Sequence, residues 1–291
     1  MNDFIKRGTG LLLIDVKDSN PNGDPDRESD PRTRQDGRGE ISPVSFKRKL
    51  RDLVANKESE LWKELHTELK LPDVDFGIFE QSGVKNKDLL AMKTDDFLSK
   101  YWDARVFGST VLEEKSGDSD NKHIASGVVQ FGLGVSLDQI KIRRETTTKK
   151  RPVEDDKSKG MAPLAFRIVE YGLYVMPFFI NATAAQKTHC TQKDIDLLLR
   201  LIPHAYKETA SYIRSQVDIR YAFYVEHNRA RGTFNDFKII EALTPVRVGN
   251  GTGPATSWKD YDEAALSNSI AELNGKLDGK TAPVVDLMDR L

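Results

Sequence analysis

Hydrophobic residues are concentrated in a few blocks along the chain. The first, Leu11 to Val16, stands directly before a stretch from Lys17 to Glu40 that contains no hydrophobic side chain. A continuous apolar run closed by glycine and a polar loop predicts a strand over residues 9–16, central or buried on both faces. A helix signature follows, with Ser42 as N-cap, Pro43 at the first helical position, and Phe46, Leu50, Leu53 and Val54 recurring along one face. From Lys57 to about Ser119 the pattern is mixed and helical, with polar turns such as Glu113 to Asn121, and predicts an inserted subdomain. Strand character returns over 124–137, where glycines imply bulges or close backbone approach. It is strongest over 164–180 (LAFRIVEYGLYVMPFFI). Between these blocks the basic, threonine-rich segment 141–162 shows neither helical nor strand periodicity. Thr191 then caps a helical stretch reaching Ile213, kinked or split at Pro203, and Asp218 to Glu226 is the next strand. The resulting order is the βαββαβ arrangement of a ferredoxin-like α+β fold, the architecture shared by RNA-recognition domains. Beyond Phe237, a short apolar segment, a glycine-rich turn from Val248 to Pro254, a helix near Tyr261 to Leu273 and an apolar tail are expected to pack onto that domain.

A long polar loop pinned at both ends is functional or disordered. Here Asn20-Pro21, Asn22-Gly23 and further prolines allow local rigidity without core burial. From Asp18 the loop imitates a calcium site, with Asn20, Asn22, Gly23, Asp24 and Asp26 at the expected spacings. The twelfth place, however, is Ser29 rather than glutamate, Pro25 interrupts the loop, and a strand precedes it where a helix belongs. An Asn-Pro-Asn-Gly turn whose backbone amides could meet a phosphate is the better reading.

The 291 residues are 38% hydrophobic and 31% charged, which describes a soluble globular protein of one large domain, or one with a substantial insertion. The Leu11–Val16 run is too short for a signal-peptide core or a membrane span, so a cytoplasmic protein is expected. The single cysteine, Cys190, excludes an internal disulfide and a thiolate metal cluster, and the five histidines have no metal-ligand spacing. A net charge of −1 argues against a uniformly basic nucleic-acid binder but conceals two basic windows. Residues 32–51 carry seven cations against Asp36 and Glu40, and residues 141–151 carry six against Glu145. Other motifs are weak. The GNGTGP run at 249–254 lacks the Lys-Ser/Thr ending of a phosphate loop, His189 and Cys190 are adjacent and so rarely face each other, and no aromatic RNA-recognition signature is present. Lys47 and Arg51 lie four residues apart, on one side of the helix and offset from its apolar face, a spacing that suits successive phosphates.

The residues of this argument also carry a family resemblance. The strand followed by Asn20-Pro21-Asn22-Gly23-Asp24-Pro25-Asp26, the loop through Gly37-Arg38-Gly39, and the helix Ser45-Phe46-Lys47-Arg48-Lys49-Leu50-Arg51 resemble the backbone subunit of type I CRISPR surveillance complexes, the Cas-seven family, and most closely its type I-C branch. Asp103 to Ser109, Gly127 to Phe131, Tyr171 to Tyr174 and Tyr221 to His227 are similar to later blocks of the same family, so the likeness spans most of the chain.

The resemblance implies a non-catalytic, RNA-binding subunit without cofactor or metal, polymerising along the spacer of a CRISPR RNA in the Cascade complex. Its partners would be that RNA, the target DNA strand, further copies of itself and the other Cascade subunits. It further implies a hand-like architecture: a ferredoxin-like palm from 1–56 and 121–291, fingers from 57–120, and a thumb loop over 141–162. Asn20, Asn22, Arg34, Arg38, Ser45, Lys47, Arg48 and Arg51 would then line the guide's phosphates, with Lys149 and Lys150 reaching it from the thumb. Base pairing, not the protein, would read sequence. The alternative within the same superfamily is a metal-dependent RNA endonuclease using one of the aspartates Asp15, Asp24, Asp26 or Asp36.

Overall fold

The structure, a computed structural model, describes residues 5–72, 76–85, 88–89, 91–111, 123–150, 161–249 and 251–290. Strand β1 (Gly8–Ser19) leads into a miniature hairpin of β2 (Gly23–Asp24) and β3 (Asp30–Pro31), then β4 (Arg38–Ile41) and helices α1 (Pro43–Ala55) and α2 (Glu60–Glu68). Next come α3 (Thr94–Lys100), α4 (Trp102–Phe107), and the paired strands β5 (Gly108–Val111) and β6 (His123–Ser126). Strands β7 (Val129–Phe131), β8 (Gly134–Gln139), β9 (Ile142–Lys150) and β10 (Met161–Ile180) follow, then the short α5 (Ala185–Thr188) and α6 (Gln192–Leu201). The chain ends with β11 (Val217–Glu226), α7 (Asp236–Leu243), α8 (Glu263–Leu277) and β12 (Val285–Asp286).

The main sheet is antiparallel, in the order β12-β11-β1-β10-β8-β4, with β7 and β9 also paired to β10. Strand β10, 20 residues long, is its spine. One of its edges takes β1, from Gly8 opposite Ile180 to Ser19 opposite Val169. The other edge is shared in succession by β7, β8 and β9. Side chains alternate across a strand, and β1 has a core on each side. Leu12, Ile14 and Val16 pack with Phe46, Leu50 and Leu198 of α1 and α6. Leu11 and Leu13 pack with Ile239, Leu243 and Leu273 of α7 and α8. Because both faces are covered, no polar alternation survives, which is the origin of the continuous apolar run.

Several expectations change. Within the expected loop 141–162, of which 151–160 lie outside the described residues, residues 142–150 form a strand instead, β9, which pairs with β10 from Ile142 opposite Val169 to Lys150 opposite Met161. Its periodicity is invisible in sequence because residues 143–146 are all exposed, so backbone pairing rather than burial holds the strand. The polar loop after β1 does reach the core, since Ser19, Asn20, Pro21 and Pro31 are buried. The helix capped by Thr191 ends at Leu201, and Pro203, lacking an N–H, turns the chain into a 3-10 turn. Much of 57–120 shares the main core through Trp62, Leu65, Phe76, Trp102 and Phe107, while Leu89, Phe97, Leu98, Tyr101 and Ala104 form a small cluster of their own. No helix among the described residues is long and apolar enough to cross a membrane.

Candidate nucleic-acid interface

The polar loop is built from inside. Asn20 donates its backbone N–H to the Ile213 carbonyl at 2.8 Å and its side-chain amide to the Ser29 carbonyl at 2.8 Å. Its own carbonyl accepts from Arg214 Nε. Asn22 accepts the backbone N–H of Ser42 at 2.7 Å, so the Asn-Pro-Asn-Gly turn is tied to the residue that caps α1. Both asparagines therefore brace the loop, and Asn20 is only 2% exposed. The aspartates do not assemble a calcium cage. Asp18 pairs with Arg143, Asp24 caps the turn at Asp26, and no group of ligands able to hold a metal occurs among the described residues. Nor do the four aspartates weighed for cleavage converge, since Asp15 pairs with Arg220 and Asp36 with Arg38.

The loop's carboxylates latch onto the β9–β10 hairpin. Asp30 accepts from Arg144 Nε at 3.1 Å and lies 3.6 Å from Arg167, whose other nitrogen pairs with Glu28. The Arg144 hydrogen bond holds the Asp30 carboxyl below its ordinary value. Arg143 is shared between Asp18 and Glu145, and Lys141 pairs with Glu170. Much of the second basic window is thus neutralised within the chain. Lys149 and Lys150 lie in β9 opposite Ala162 and Met161, which places them toward the hairpin's far end.

Helix α1 sorts the remaining predicted cations. Ser42 accepts from the Ser45 N–H, closing the first turn. Arg48 is exposed and pairs with Asp52 one turn on. Lys49 is buried, donates to Thr209 at 2.8 Å and lies over the Tyr206 ring; burial pushes its pKa down to about 8. Arg51 corrects the expectation of a solvent-facing phosphate ligand. Its side chain is 5% exposed, paired with Asp103 at 2.9 Å and with Glu80 at 2.9 Å. Asp103 also accepts the backbone N–H groups of Phe79 and Glu80, so this pair ties α1 to α4. On the loop before α1, Arg38 is held by Asp36, while Arg34 is exposed and donates to no carboxylate among the described residues.

Lys47 remains, and a cleft opens beside it. Between α1 and the β5–β6 pair lies a depression of about 600 Å³, edged by Lys47, Ser109, Thr110, Ser126 and Gln130, with the paired Arg51 and Glu80 in its wall. Lys47 lies over the Phe107 ring at 5.2 Å and has no carboxylate within ion-pair distance among the described residues. Burial, then the neighbouring Arg51, lower its pKa, which Glu80 partly offsets. The floor is close-packed backbone: a Cβ on Gly127 would stand 2.1 Å from the Phe107 carbonyl carbon, and Gly108 has a φ of +86°. A lysine facing hydroxyls over a glycine floor can hold a sugar–phosphate chain without reading a base edge. Ser109, Thr110, Ser126 and Gln130 were not among the residues expected from sequence. Ser109 and Gln130 fell within blocks similar to the family, and Ser126 beside the glycine pattern around 124–137, which marked close backbone approach without saying what it faces.

Fold and site together define an α+β scaffold, one antiparallel sheet covered on both faces, with a hydroxyl-lined cleft under a single available lysine. The family model for CRISPR-associated protein Cas7 matches residues 6–266, and the chain belongs to that family. It is 26% identical over 251 residues to a CRISPR-associated protein Cas7 of Haloferax volcanii, covering 79% of this chain and 73% of that one. Its fold is similar to a chain of a structure described as a CRISPR RNA-guided surveillance complex, pre-nicking. That match has a TM-score of 0.53 and 13% identity, over 94% of this chain and 89% of the other.

Proposed function

We infer that this chain is a CRISPR RNA-binding backbone subunit of a Cascade-type surveillance complex, repeated along the guide and joined to other subunits of that complex. The observation that carries the reading is the Lys47 cleft, a cationic, hydroxyl-lined groove suited to backbone rather than bases, on a chain of the Cas7 family. Such a subunit leaves guide bases free to pair with target DNA. We assign it no catalytic step, since Asp15 and Asp36 are paired with Arg220 and Arg38, Asp24 caps a turn, and no group of metal-ligating side chains occurs among the described residues.

The palm reading is supported by the order β11-β1-β10-β8 with α1 and α6 in the crossovers, which is the strand arrangement of a ferredoxin-like sheet. The β9–β10 hairpin takes the place of the thumb, and 57–120 that of the fingers. The type I-C branch rests on the Asn-Pro-Asn-Gly loop and its following helix.

Coexpression with a CRISPR array tests the function. Guide-length RNA should copurify and be protected from nuclease in regular steps. Lys47→Ala should lower the slope of log affinity against log salt by about 0.7, one phosphate contact on a single strand. Absence of bound RNA, or regular cleavage of added complementary RNA in magnesium, refutes the reading.

A further inference from the structure

The opposite end of the sheet carries cations of a different kind. Gly8 of β1 stands beside Ile180 of β10 and Glu226 of β11. This end lies roughly 35 Å along the 12-residue β1 from the Asn20 loop. Here the connection from β11 to α7, residues 227–235 (HNRARGTFN), raises Arg229 and Arg231 into solvent. Neither has an ion-pair partner among the described residues, in contrast to Arg38, Arg48, Arg51, Arg143, Arg144 and Arg167. Phe237, immediately after Asp236, is 79% exposed.

The turn is held from beneath. His227 is fully buried; its Nδ1 accepts the Thr233 N–H at 3.1 Å, which leaves Nε2 to donate toward Thr9 Oγ1, also 3.1 Å away. The Thr9 hydroxyl donates to Asp236 at 2.7 Å, and Asp236 also pairs with Arg7. Gly232, at a φ of +86°, packs against the Arg7 side chain and donates to the Arg229 carbonyl at 2.9 Å. Burying such a network is costly unless every member is paired, and the outcome is a basic turn in one fixed pose. Beside it lies a cleft of about 470 Å³, lined by Ile5, Ala182, Ala185, Cys190, Asn228 and Ala230. Its volume falls within the roughly 300–1,000 Å³ of ordinary small-ligand sites.

A cleft that mixes apolar side chains with Lys6, Thr183 and Gln186, and takes Asn228 and Ala230 from the same turn as two unneutralised guanidiniums, matches an unstacked base with its flanking phosphates. We propose that this end of the sheet is a second contact for single-stranded nucleic acid. Arg229 and Arg231 hold phosphates, and the Cys190 cleft receives a base. The site uses none of the residues of the Lys47 cleft and goes beyond holding the guide there. Its strand is either another part of the guide or a DNA strand.

The test uses the full chain purified with whatever RNA it carries, as wild type, as Arg229→Ala/Arg231→Ala, and as Ala230→Trp, which fills the cleft and keeps the charges. RNA per subunit is measured first, followed by titration of fluorescein-labelled single-stranded DNA, complementary or scrambled, across a salt series. For a DNA strand, the double variant keeps its RNA while the DNA salt slope falls by about 1.4, two contacts at roughly 0.7 each. For the guide, RNA content falls instead. Ala230→Trp weakens the same strand about tenfold, because the base loses its seat in the cleft. Unchanged RNA content and DNA slope in both variants overturn the proposal. So does loss of subunit assembly with both intact, which would make this end a protein interface. A chain that carries no RNA sinks the guide-holding function, while the DNA titration still decides this one.

Discussion

Replacing Arg51 by methionine separates a structural cation from a phosphate-binding one. In the folded chain Arg51 and Asp103 are 5% and 1% exposed, and their ion pair is 2.9 Å long. Removing one partner of a buried pair costs about 3–5 kcal/mol, because the other charge stays behind uncompensated. Asp103 would keep the N–H groups of Phe79 and Glu80, and methionine would still fill space beside Phe107, so the loss should sit near 3 kcal/mol. At about 2.1 cal/mol/K of unfolding entropy per residue, the 291-residue chain should melt about 5 °C lower. The assay is urea unfolding of wild type, Arg51→Met and Lys47→Met, each paired with a guide-RNA salt titration. Arg51→Met should lower the urea midpoint with an unchanged m-value. Lys47→Met should move stability by less than about 1 kcal/mol while lowering the RNA salt slope by about 0.7. If Arg51→Met instead leaves the midpoint in place and lowers the RNA slope as Lys47→Met does, the ion-pair argument is wrong and Arg51 belongs to the RNA track.

Two further outcomes follow from burial and backbone approach. Burial lowers Lys49 to about 8 and Lys57 to about 7, against about 10.5 in the unfolded chain. Between those values the unfolded chain binds more protons, so stability should rise with pH from about 7 toward 10. Lys49→Met should flatten the part of that rise above pH 8 in urea midpoints measured along a pH series, and a fall over this range would contradict the sign. Gly127→Ala forces a Cβ to 2.1 Å from the Phe107 backbone, which cannot move like a flexible side chain. It should lose about 2 kcal/mol or more by urea unfolding and weaken RNA binding through the distorted cleft floor, whereas wild-type stability would mean that the floor has room.

Patterning along the chain was informative wherever burial dictates it. The Leu11–Val16 run reads as a doubly covered strand because both of its faces meet apolar helices. Ser42, Pro43 and the Phe46/Leu50/Leu53 stripe read as α1 because capping and periodicity are local. What stayed hidden depends on pairing between distant segments. Strand β9 is defined by its ladder to β10, and no local periodicity records that. The burial of Arg51 depends on Asp103, 52 positions away, and a four-residue spacing on a helix cannot tell a cation in water from one under a neighbouring helix. Asn20 and Asn22 were legible as a turn, but their partners Ile213 and Ser42 come from elsewhere in the chain.

The same long-range pairing changes what the two basic windows mean. Counted along the sequence, each is strongly cationic, yet in the fold Asp18, Asp30 and Asp36 meet Arg143, Arg144 and Arg38, and Glu28 meets Arg167 on the facing strand. Exposed pairs of this kind add little stability, about 0–1 kcal/mol each. They do set geometry, because a forked guanidinium held by a carboxylate fixes the hairpin against the loop. A strand of nucleic acid arriving there must compete with carboxylates already in place, whereas Arg34, Arg229 and Arg231 pair with no carboxylate among the described residues, and the one carboxylate in the Lys47 cleft, Glu80, is taken up by Arg51. Among the described side chains, polyanions therefore find a few separated contacts rather than a continuous basic face, which agrees with the net charge of −1 and keeps repulsion between neighbouring copies small.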